Sequence, residues 1–173
     1  RLEKRKGHSY ILSAIEKLKK EYPNILYVIA GSGEELSSLQ RLVKTLDIEN
    51  NVLFVGNINN NEKNFLFKKT DLLVMPTTDE SGNRSIEGFG IAYIEAAFYG
   101  IPSIASNVGG TPEAVLHEET GLILSNINDV YLSIQNLLSD RKKAEKLGKN
   151  AKVRAEKYFL WSDVVKKYLH IIN

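Results

Sequence analysis

The chain has 173 residues, of which 43% are hydrophobic and 25% are charged, and its formal net charge is +2. This composition is typical of a globular domain with a sizeable core, and no apolar run approaches the ~18 residues of a membrane span. The small net charge gives no reason to expect nucleic acid as a partner. Because cysteine is absent, disulfides and thiolate metal sites are excluded, and we expect a cytoplasmic protein.

Helical and strand-like patterns alternate along the chain. Short apolar runs predict buried strands at residues 25–31, 52–56, 72–76, 102–106 and 121–124. Apolar residues at helical spacing predict helices at about 11–22, 36–46, 62–69 and 90–100, from 111, and from 128 onward. Short strands separated by helices indicate an α/β fold with a doubly wound, Rossmann-like parallel sheet.

Turn-rich loops follow four of the predicted strands, at residues 31–33, 56–57, 76–87 and 106–110. In such sheets the ligand binds beyond the carboxyl ends of the strands. The sequence therefore predicts one binding site, built from these four loops.

Two glutamates, Glu87 and Glu95, flank the start of the helix at 90–100. The turn Gly88-Phe89-Gly90 lets an anion approach the free N–H groups of the helix start. We expect Ile91, Ile94 and Phe98 to face the sheet, which puts Glu95 at the edge of that stripe. Two carboxylates and a helix start suit a ligand with hydroxyl and phosphate groups, whereas a helix-start acid and a surface glutamate are the plainer alternative.

Other helix starts have plainer interpretations. Ser32 and Glu35 fit a capping box for the helix after the second turn, which favours capping over phosphate binding there. Thr111 and Pro112 fit an N-cap residue followed by proline at the first helical position.

Basic residues are concentrated at both ends of the chain. Arg1 and Lys6 offer a guanidinium and an ammonium group to phosphate oxygens, or they form a basic surface. Residues 140–173 hold ten Lys or Arg and four Asp or Glu. That balance predicts a solvated helical surface, or alternatively a basic face against anionic lipid or a partner domain.

The residues that would bind a metal are not grouped in the sequence. His8, His117 and His170 stand apart, and there is no Asp-x-Asp pair to hold a metal–diphosphate complex. We therefore expect no metal and no other cofactor.

The ordered segments from Arg1 to Lys6, IAGSGEE, FVG, EGFGIAYIE and GGTPEAV resemble the donor-binding, C-terminal half of retaining GT-B glycosyltransferases, the group 1 family. The resemblance covers nearly the whole chain. It implies one nucleotide-sugar-binding domain at 1–173, closed by a helix at 158–173. The first strand, before Arg1, and the N-terminal acceptor-binding domain would be missing.

The resemblance also implies roles for the residues, with a UDP-, GDP- or ADP-linked sugar as the donor. Glu87, Arg1 and Lys6 would be the catalytic residues, with Glu87 on the sugar hydroxyls and the two basic residues on the diphosphate. The remaining donor-binding residues would be Gly88, Phe89, Gly90, Ile91, Glu95, Gly56 and Ile58. Glu95 would bind the ribose, and the loop with Gly56 and Ile58 would lie near the base.

The implied reaction is metal-independent hexosyl transfer to a glycan or a lipid-linked acceptor, in polysaccharide or lipopolysaccharide biosynthesis. The full-length enzyme would then lie at the cytoplasmic membrane face, and the isolated domain would transfer no sugar. Two alternatives stay open, a non-catalytic nucleotide-binding α/β module and a sugar-nucleotide epimerase of similar fold.

Overall fold

The structure is a computed structural model that describes residues 1–79, 87–162 and 165. Strands and helices alternate in it, as predicted. The strands are β1 (Tyr27–Ala30), β2 (Val52–Gly56), β3 (Leu73–Met75), β4 (Ser103–Ser106) and β5 (Gly121–Leu124). The helices are α1 (His8–Leu18), α2 (Leu36–Thr45), α3 (Asn60–Phe67), α4 (Ile91–Phe98), α5 (Thr111–Ala114), α6 (Val130–Ser139) and α7 (Arg141–Tyr158).

All strand pairs are parallel, which confirms the predicted fold class. β1 pairs with β2, and β4 pairs with both β3 and β5. Within the described ranges the strands form two sheets, one of two strands and one of three. The sequence predicts one sheet, whereas the structure has no pairing between β1 and β3 within the described ranges.

One apolar core spans both sheets. It includes Ile29 of β1, Ile104 of β4 and Leu122 of β5, together with the inner faces of α1 and α6. The strand β4 is buried along its whole length, whereas all three residues of β3 are only half-buried. Among the described strands β3 pairs only with β4, so its other edge is open.

The amino-terminal segment (residues 1–7) crosses the carboxyl edge of both sheets. The Leu2 amide donates to the Ser32 carbonyl after β1, at 2.9 Å, and the Thr78 amide after β3 donates to the Arg5 carbonyl, at 2.7 Å. Gly7 has φ 69°, and a Cβ there would overlap the Pro76 carbonyl oxygen. This close approach requires glycine and fixes the segment against the β3 loop.

Three helix starts differ from their predictions. The helix α2 begins at Leu36 with no side-chain cap among the described residues, and the Ser32 hydroxyl instead donates to Asn57 Oδ1 at 3.0 Å, so the Ser32–Glu35 capping box is wrong. The N-cap of α5 is Gly110 rather than Thr111, whose buried hydroxyl donates to the Ser106 carbonyl. The helix α3 begins two residues early, because Asn59 and Glu62 form a capping box.

The predicted closing helix at 158–173 lies mostly outside the described residues. The helix α7 ends at Tyr158, and helical residues recur at 161, 162 and 165. In the part of the chain that the structure describes, no helix has the length and apolarity that a membrane crossing requires.

Candidate functional site

The loops at the carboxyl edge contact each other in two pairs. The Gly31 amide donates to the Gly56 carbonyl at 2.7 Å, which joins the loops after β1 and β2. The Gly110 amide donates to the Glu87 carbonyl at 3.3 Å, which joins the loops after β3 and β4. Residues 80–86 of the predicted site lie outside the described residues. The amino-terminal segment connects the two pairs, so the edge forms one continuous surface.

Glu87 is bound by two cations from the amino-terminal segment. Its Oε2 atom accepts hydrogen bonds from Lys6 Nζ and from Arg5 Nη1, the latter at 3.1 Å. The side chains of Glu87 and Arg5 are each 13% exposed. Arg5 also donates from Nε to Glu3 Oε2 at 3.0 Å. We call Glu3, Arg5, Lys6 and Glu87 the Glu87 cluster.

The cluster keeps Glu87 ionised. Burial raises the pKa of its carboxyl, but the hydrogen bonds and charges of Lys6 and Arg5 outweigh burial and hold the pKa below its ordinary value. At neutral pH Glu87 is therefore a hydrogen-bond acceptor and not a general acid. An ionised carboxylate of this kind can bind hydroxyl groups of a ligand.

Arg1 lies away from Glu87. Its guanidinium Nε lies 3.2 Å from Glu3 Oε1, and its side chain is 84% exposed. Of the predicted basic pair, the structure brings only Lys6 to Glu87. Arg5, which sequence reasoning missed, takes the second position.

The Gly88–Gly90 turn leads into α4 as predicted. Gly90 has φ 80° and is buried, and a Cβ there would overlap the Tyr93 ring. Gly110 packs so closely on the Gly88 carbonyl that a Cβ at Gly110 would overlap it. In the described residues α4 has neither a side-chain cap nor an acid in its first turn, so its N–H groups are available to an anion.

The inward face of α4 differs from the prediction. Ile91 does not face the sheet, because its side chain is 70% exposed at the helix start. Tyr93 is buried in its place, and its hydroxyl donates to the Met75 carbonyl at 2.7 Å. Ile94 is buried as expected. Ile91 is exposed at the start of α4, and its role toward a donor stays a prediction.

Glu95 lies on α4 in a more open environment, where its side chain is 37% exposed. Its Oε1 accepts from Lys63 Nζ of α3 at 2.6 Å. The two helices also meet where Tyr99 stacks on Phe67, with ring centroids 5.3 Å apart. The loop with Gly56 and Ile58 precedes α3, and Gly56 has φ 65°. The structure thus connects the predicted base loop to Glu95 through α3.

Sequence signals for the missed residues are weak. Arg5 stands in a basic run, and only the turn at Gly7 and the Arg5–Thr78 contact decide which cation points inward. Lys63 follows the Asn59 capping signal by one turn, which would have placed it near the edge. Among the described residues, no group of three or more His, Asp or Glu side chains could hold a metal ion.

The parallel sheets and the charged site at their carboxyl edge define a Rossmann-like α/β domain. Its structural neighbours are glycosyltransferase domains of GT-B architecture, of which such a domain is one half. The chain belongs to the family Glycosyl transferases group 1, whose model matches residues 1–154.

A curated relative is a GDP-mannose-dependent alpha-(1-6)-phosphatidylinositol monomannoside mannosyltransferase of Mycobacterium tuberculosis. It is 29% identical over 169 residues, which cover 96% of this chain and 44% of the relative. The chain thus spans less than half the length of this relative.

Two solved structures show the same fold. The C-terminal domain of a glycosyl transferase group 1 family protein (LpcC) from Francisella tularensis has a TM-score of 0.80 and 24% identity, and the match covers 93% of this chain and 83% of that one. The Anabaena Alr3699/HepE protein in complex with UDP and glucose has a TM-score of 0.86 and 21% identity, with 99% of this chain and 46% of that one covered.

Proposed function

We propose that this domain binds a nucleotide-diphosphate sugar, and that the full-length protein transfers the sugar, with retention of its anomeric configuration, to a glycan or lipid-linked acceptor. The observation that carries the proposal is Glu87, an ionised acceptor held by two cations beside the uncapped start of α4. This arrangement offers acceptors to sugar hydroxyls and donors to a diphosphate within one small region.

Each part of the donor has a complementary part of the site. Lys6 and the start of α4, with Gly88, Phe89 and Gly90, bind the diphosphate. Glu87 accepts hydrogen bonds from the sugar. Arg1 joins the diphosphate by leaving Glu3, which its exposed position allows.

The nucleoside of the donor lies beside Glu95 and the loop that follows β2. Glu95 accepts hydrogen bonds from the vicinal hydroxyls of the ribose, and Gly56 and Ile58 border the base. Lys63 belongs to this part of the site, because it already contacts the Glu95 carboxylate.

Catalysis rests on electrostatic stabilisation of the departing diphosphate, without a metal. The helix start is in place before the reaction and Lys6 lies beside it on Glu87, so both can stabilise the charge that develops on the leaving group. Removing one fixed donor of this kind costs about 2.7–4 kcal/mol of barrier in comparable sites.

The names of similar proteins support a nucleotide-sugar donor. The Mycobacterium tuberculosis relative is named for GDP-mannose and phosphatidylinositol monomannoside, and the Anabaena structure holds UDP and glucose. The two nucleotides differ in their base, so the base is the first property to measure.

The divided sheet supports a strand before Arg1. Leu2 bonds to Ser32 at the carboxyl end of β1, so an extended segment ending at Arg1 would run along β1. The half-buried strand β3 offers the second edge. We therefore propose that a parallel strand between β1 and β3 joins the two sheets, and that an acceptor-binding domain precedes it.

The basic carboxyl-terminal region supports a cytoplasmic enzyme at the membrane face. Lys142, Lys146, Lys149 and Lys157 of α7 are all exposed. Each basic residue near an anionic surface contributes about 1 kcal/mol of attraction.

Calorimetric titration of the chain with UDP, GDP, ADP and their sugars tests the proposal. We expect one nucleotide to bind and Lys6→Met to weaken it at least about tenfold. The matched control is Lys149→Met, an exposed lysine of α7, which should leave binding unchanged. If none of the nucleotides binds, donor binding by this domain is wrong.

The full-length protein tests the reaction. With the identified donor and a lipid or glycan acceptor, nuclear magnetic resonance of the product should show the anomeric configuration of the donor sugar. Inversion would overturn retention. A free epimerised nucleotide sugar would favour the epimerase alternative.

A further inference from the structure

The Glu87 cluster continues into a chain of alternating charges. Arg1 contacts Glu3, Glu3 contacts Arg5, and Arg5 contacts Glu87, which Lys6 also binds. Apart from the exposed Arg1, these side chains are largely buried, and their charges interact more strongly than those of a solvated pair. The proposed function places Lys6 and Glu87 on the donor, whereas Glu3 and Arg5 make no contact with the donor in it.

Arg5 is fixed in two directions. Its Nε donates to Glu3 and its Nη1 to Glu87, at 3.0 and 3.1 Å. Its carbonyl accepts from the Thr78 amide, which also holds the backbone. A guanidinium presents its donors in a rigid plane, so these contacts together fix where the plane lies.

The two cations bind the same oxygen of Glu87. Lys6 and Arg5 both donate to Oε2, and in the described part of the chain Oε1 has no hydrogen-bond partner. A carboxylate can accept about four hydrogen bonds in all, so Oε1 keeps its acceptor capacity. The side chain is thus anchored through one oxygen and presents the other.

Because Arg5 also binds Glu87, this glutamate keeps a cationic partner when Lys6 moves away. If Lys6 turns to a diphosphate, Glu87 loses one cation in a largely buried position, which is costly for an unpaired carboxylate. Arg5 stays, because Glu3 and Thr78 hold it. Glu87 therefore remains ionised and oriented while Lys6 binds the diphosphate.

We propose that Glu3 and Arg5 are positioning residues that anchor Glu87 through Oε2, so that Oε1 receives a hydroxyl of the donor sugar while Lys6 is free to bind the diphosphate. The inference rests on the proposed donor binding and deepens it. It predicts that Glu3 and Arg5 act on the sugar part of the donor rather than on the nucleotide.

The test compares a nucleotide with its sugar. We would measure the dissociation constants of UDP and UDP-glucose, or of GDP and GDP-mannose, for the pair that the wild type binds. The ratio of interest is the dissociation constant of the nucleotide divided by that of the nucleotide sugar. Arg5→Met and Glu3→Gln should each reduce this ratio, by about tenfold for Arg5→Met. Arg5→Lys should not restore the ratio, because one ammonium cannot take both carboxylate contacts in the guanidinium plane.

Two controls make the result specific. Arg41→Met changes an exposed arginine of α2 and should leave both constants unchanged. Thermal unfolding of Glu3→Gln, the milder variant, shows whether the fold is kept. A ratio unchanged in both Arg5→Met and Glu3→Gln overturns the inference, as does full restoration by Arg5→Lys.

A second readout separates this inference from the proposed function. Carbon-13 labelling of glutamate allows the Glu87 carboxyl to be titrated without any ligand. We expect its pKa to rise in Arg5→Met, which removes one of the two cations that hold it low. If nucleotides fail to bind but the pKa shifts, donor binding fails and the anchoring stands; if nucleotides bind and the pKa stays, the anchoring fails alone.

Discussion

Glu87 precedes the Gly88–Gly90 turn and Glu95 lies within α4, yet their surroundings are opposite. Glu87 is largely buried and shares one oxygen between two cations, whereas Glu95 is partly solvated and has one lysine partner, Lys63. Breaking a buried ion pair leaves a charge that solvent cannot reach, whereas water replaces a lost partner at the surface. Burial, and not residue type, therefore decides how much each carboxylate matters for stability.

The largest expected effect is on folding stability. Glu87→Gln should lower the free energy of unfolding by about 3 kcal/mol, because it leaves Arg5 and Lys6 close together without their anion. The matched substitution Glu95→Gln should cost less than about 1 kcal/mol, as solvated pairs do. Urea denaturation of both variants measures the difference, and equal losses would contradict the contrast.

Acid should destabilise the Glu87 side of the site through His8, which follows Lys6 and Gly7. Burial, with a smaller contribution from the charge of Lys6, lowers the pKa of His8 from 6.5 to about 4, while His8 Nδ1 and the Tyr27 hydroxyl lie 2.7 Å apart. Between pH 6.5 and about 4, His8 is therefore protonated in the unfolded chain but not in the folded chain. Stability should fall as the pH drops from about 6.5 to about 4, by about 2–3 kcal/mol.

Substitution of the histidine checks this pH dependence. His8→Gln should flatten the stability profile between pH 6.5 and 4. The Glu87 contribution is distinct, because a lowered carboxyl pKa gives stability that is lost only as the pH falls below its ordinary value of 4.5. An unchanged slope in His8→Gln would place the acid sensitivity elsewhere.

The strands were the most predictable part of the fold. The run VLFVG at 52–56 matches β2 to the residue, although only Val52 of this strand is buried, since among the described strands β2 is paired on one side only. The face of α4 was predicted less well, since Tyr93 can be buried once its hydroxyl finds the Met75 carbonyl. A helical pattern with Ile91, Tyr93 and Ile94 close together does not specify which of them faces the sheet.

The site was predictable in its acids and less so in its cations. Glu87 and Glu95 flank a glycine turn, and an arrangement of residues so close in sequence can be recognised without the fold. The choice between Arg1 and Arg5 depends on contacts with Thr78 and Glu3 that form only in three dimensions. The family resemblance therefore indicates Lys6, but it does not indicate Arg5 as the second cation at Glu87.

Substitutions at Glu95, the more exposed of the two glutamates, should change ligand discrimination more than stability. If Glu95 binds the ribose, a 2′-deoxynucleotide should bind the wild type more weakly than the ribonucleotide, by about fivefold for one lost hydrogen bond. Glu95→Gln should reduce this preference, and Lys63→Met should reduce it less, because it removes only the partner of the carboxylate. A preference that survives Glu95→Gln would exclude Glu95 as the ribose contact.

Salt should produce the smallest effect and the sharpest contrast between the two ion pairs. The Debye length falls from about 10 Å at 0.1 M to about 3 Å at 1 M salt, so solvated charges are screened and buried ones much less. A double-mutant cycle with Lys63→Met and Glu95→Gln should give a coupling energy below about 1 kcal/mol that shrinks toward zero in 1 M salt. The cycle with Arg5→Met and Glu87→Gln should give a larger value that salt changes little. If both coupling energies fell in parallel, water would have to reach Glu87 as freely as Glu95, and burial could not be the reason for their difference.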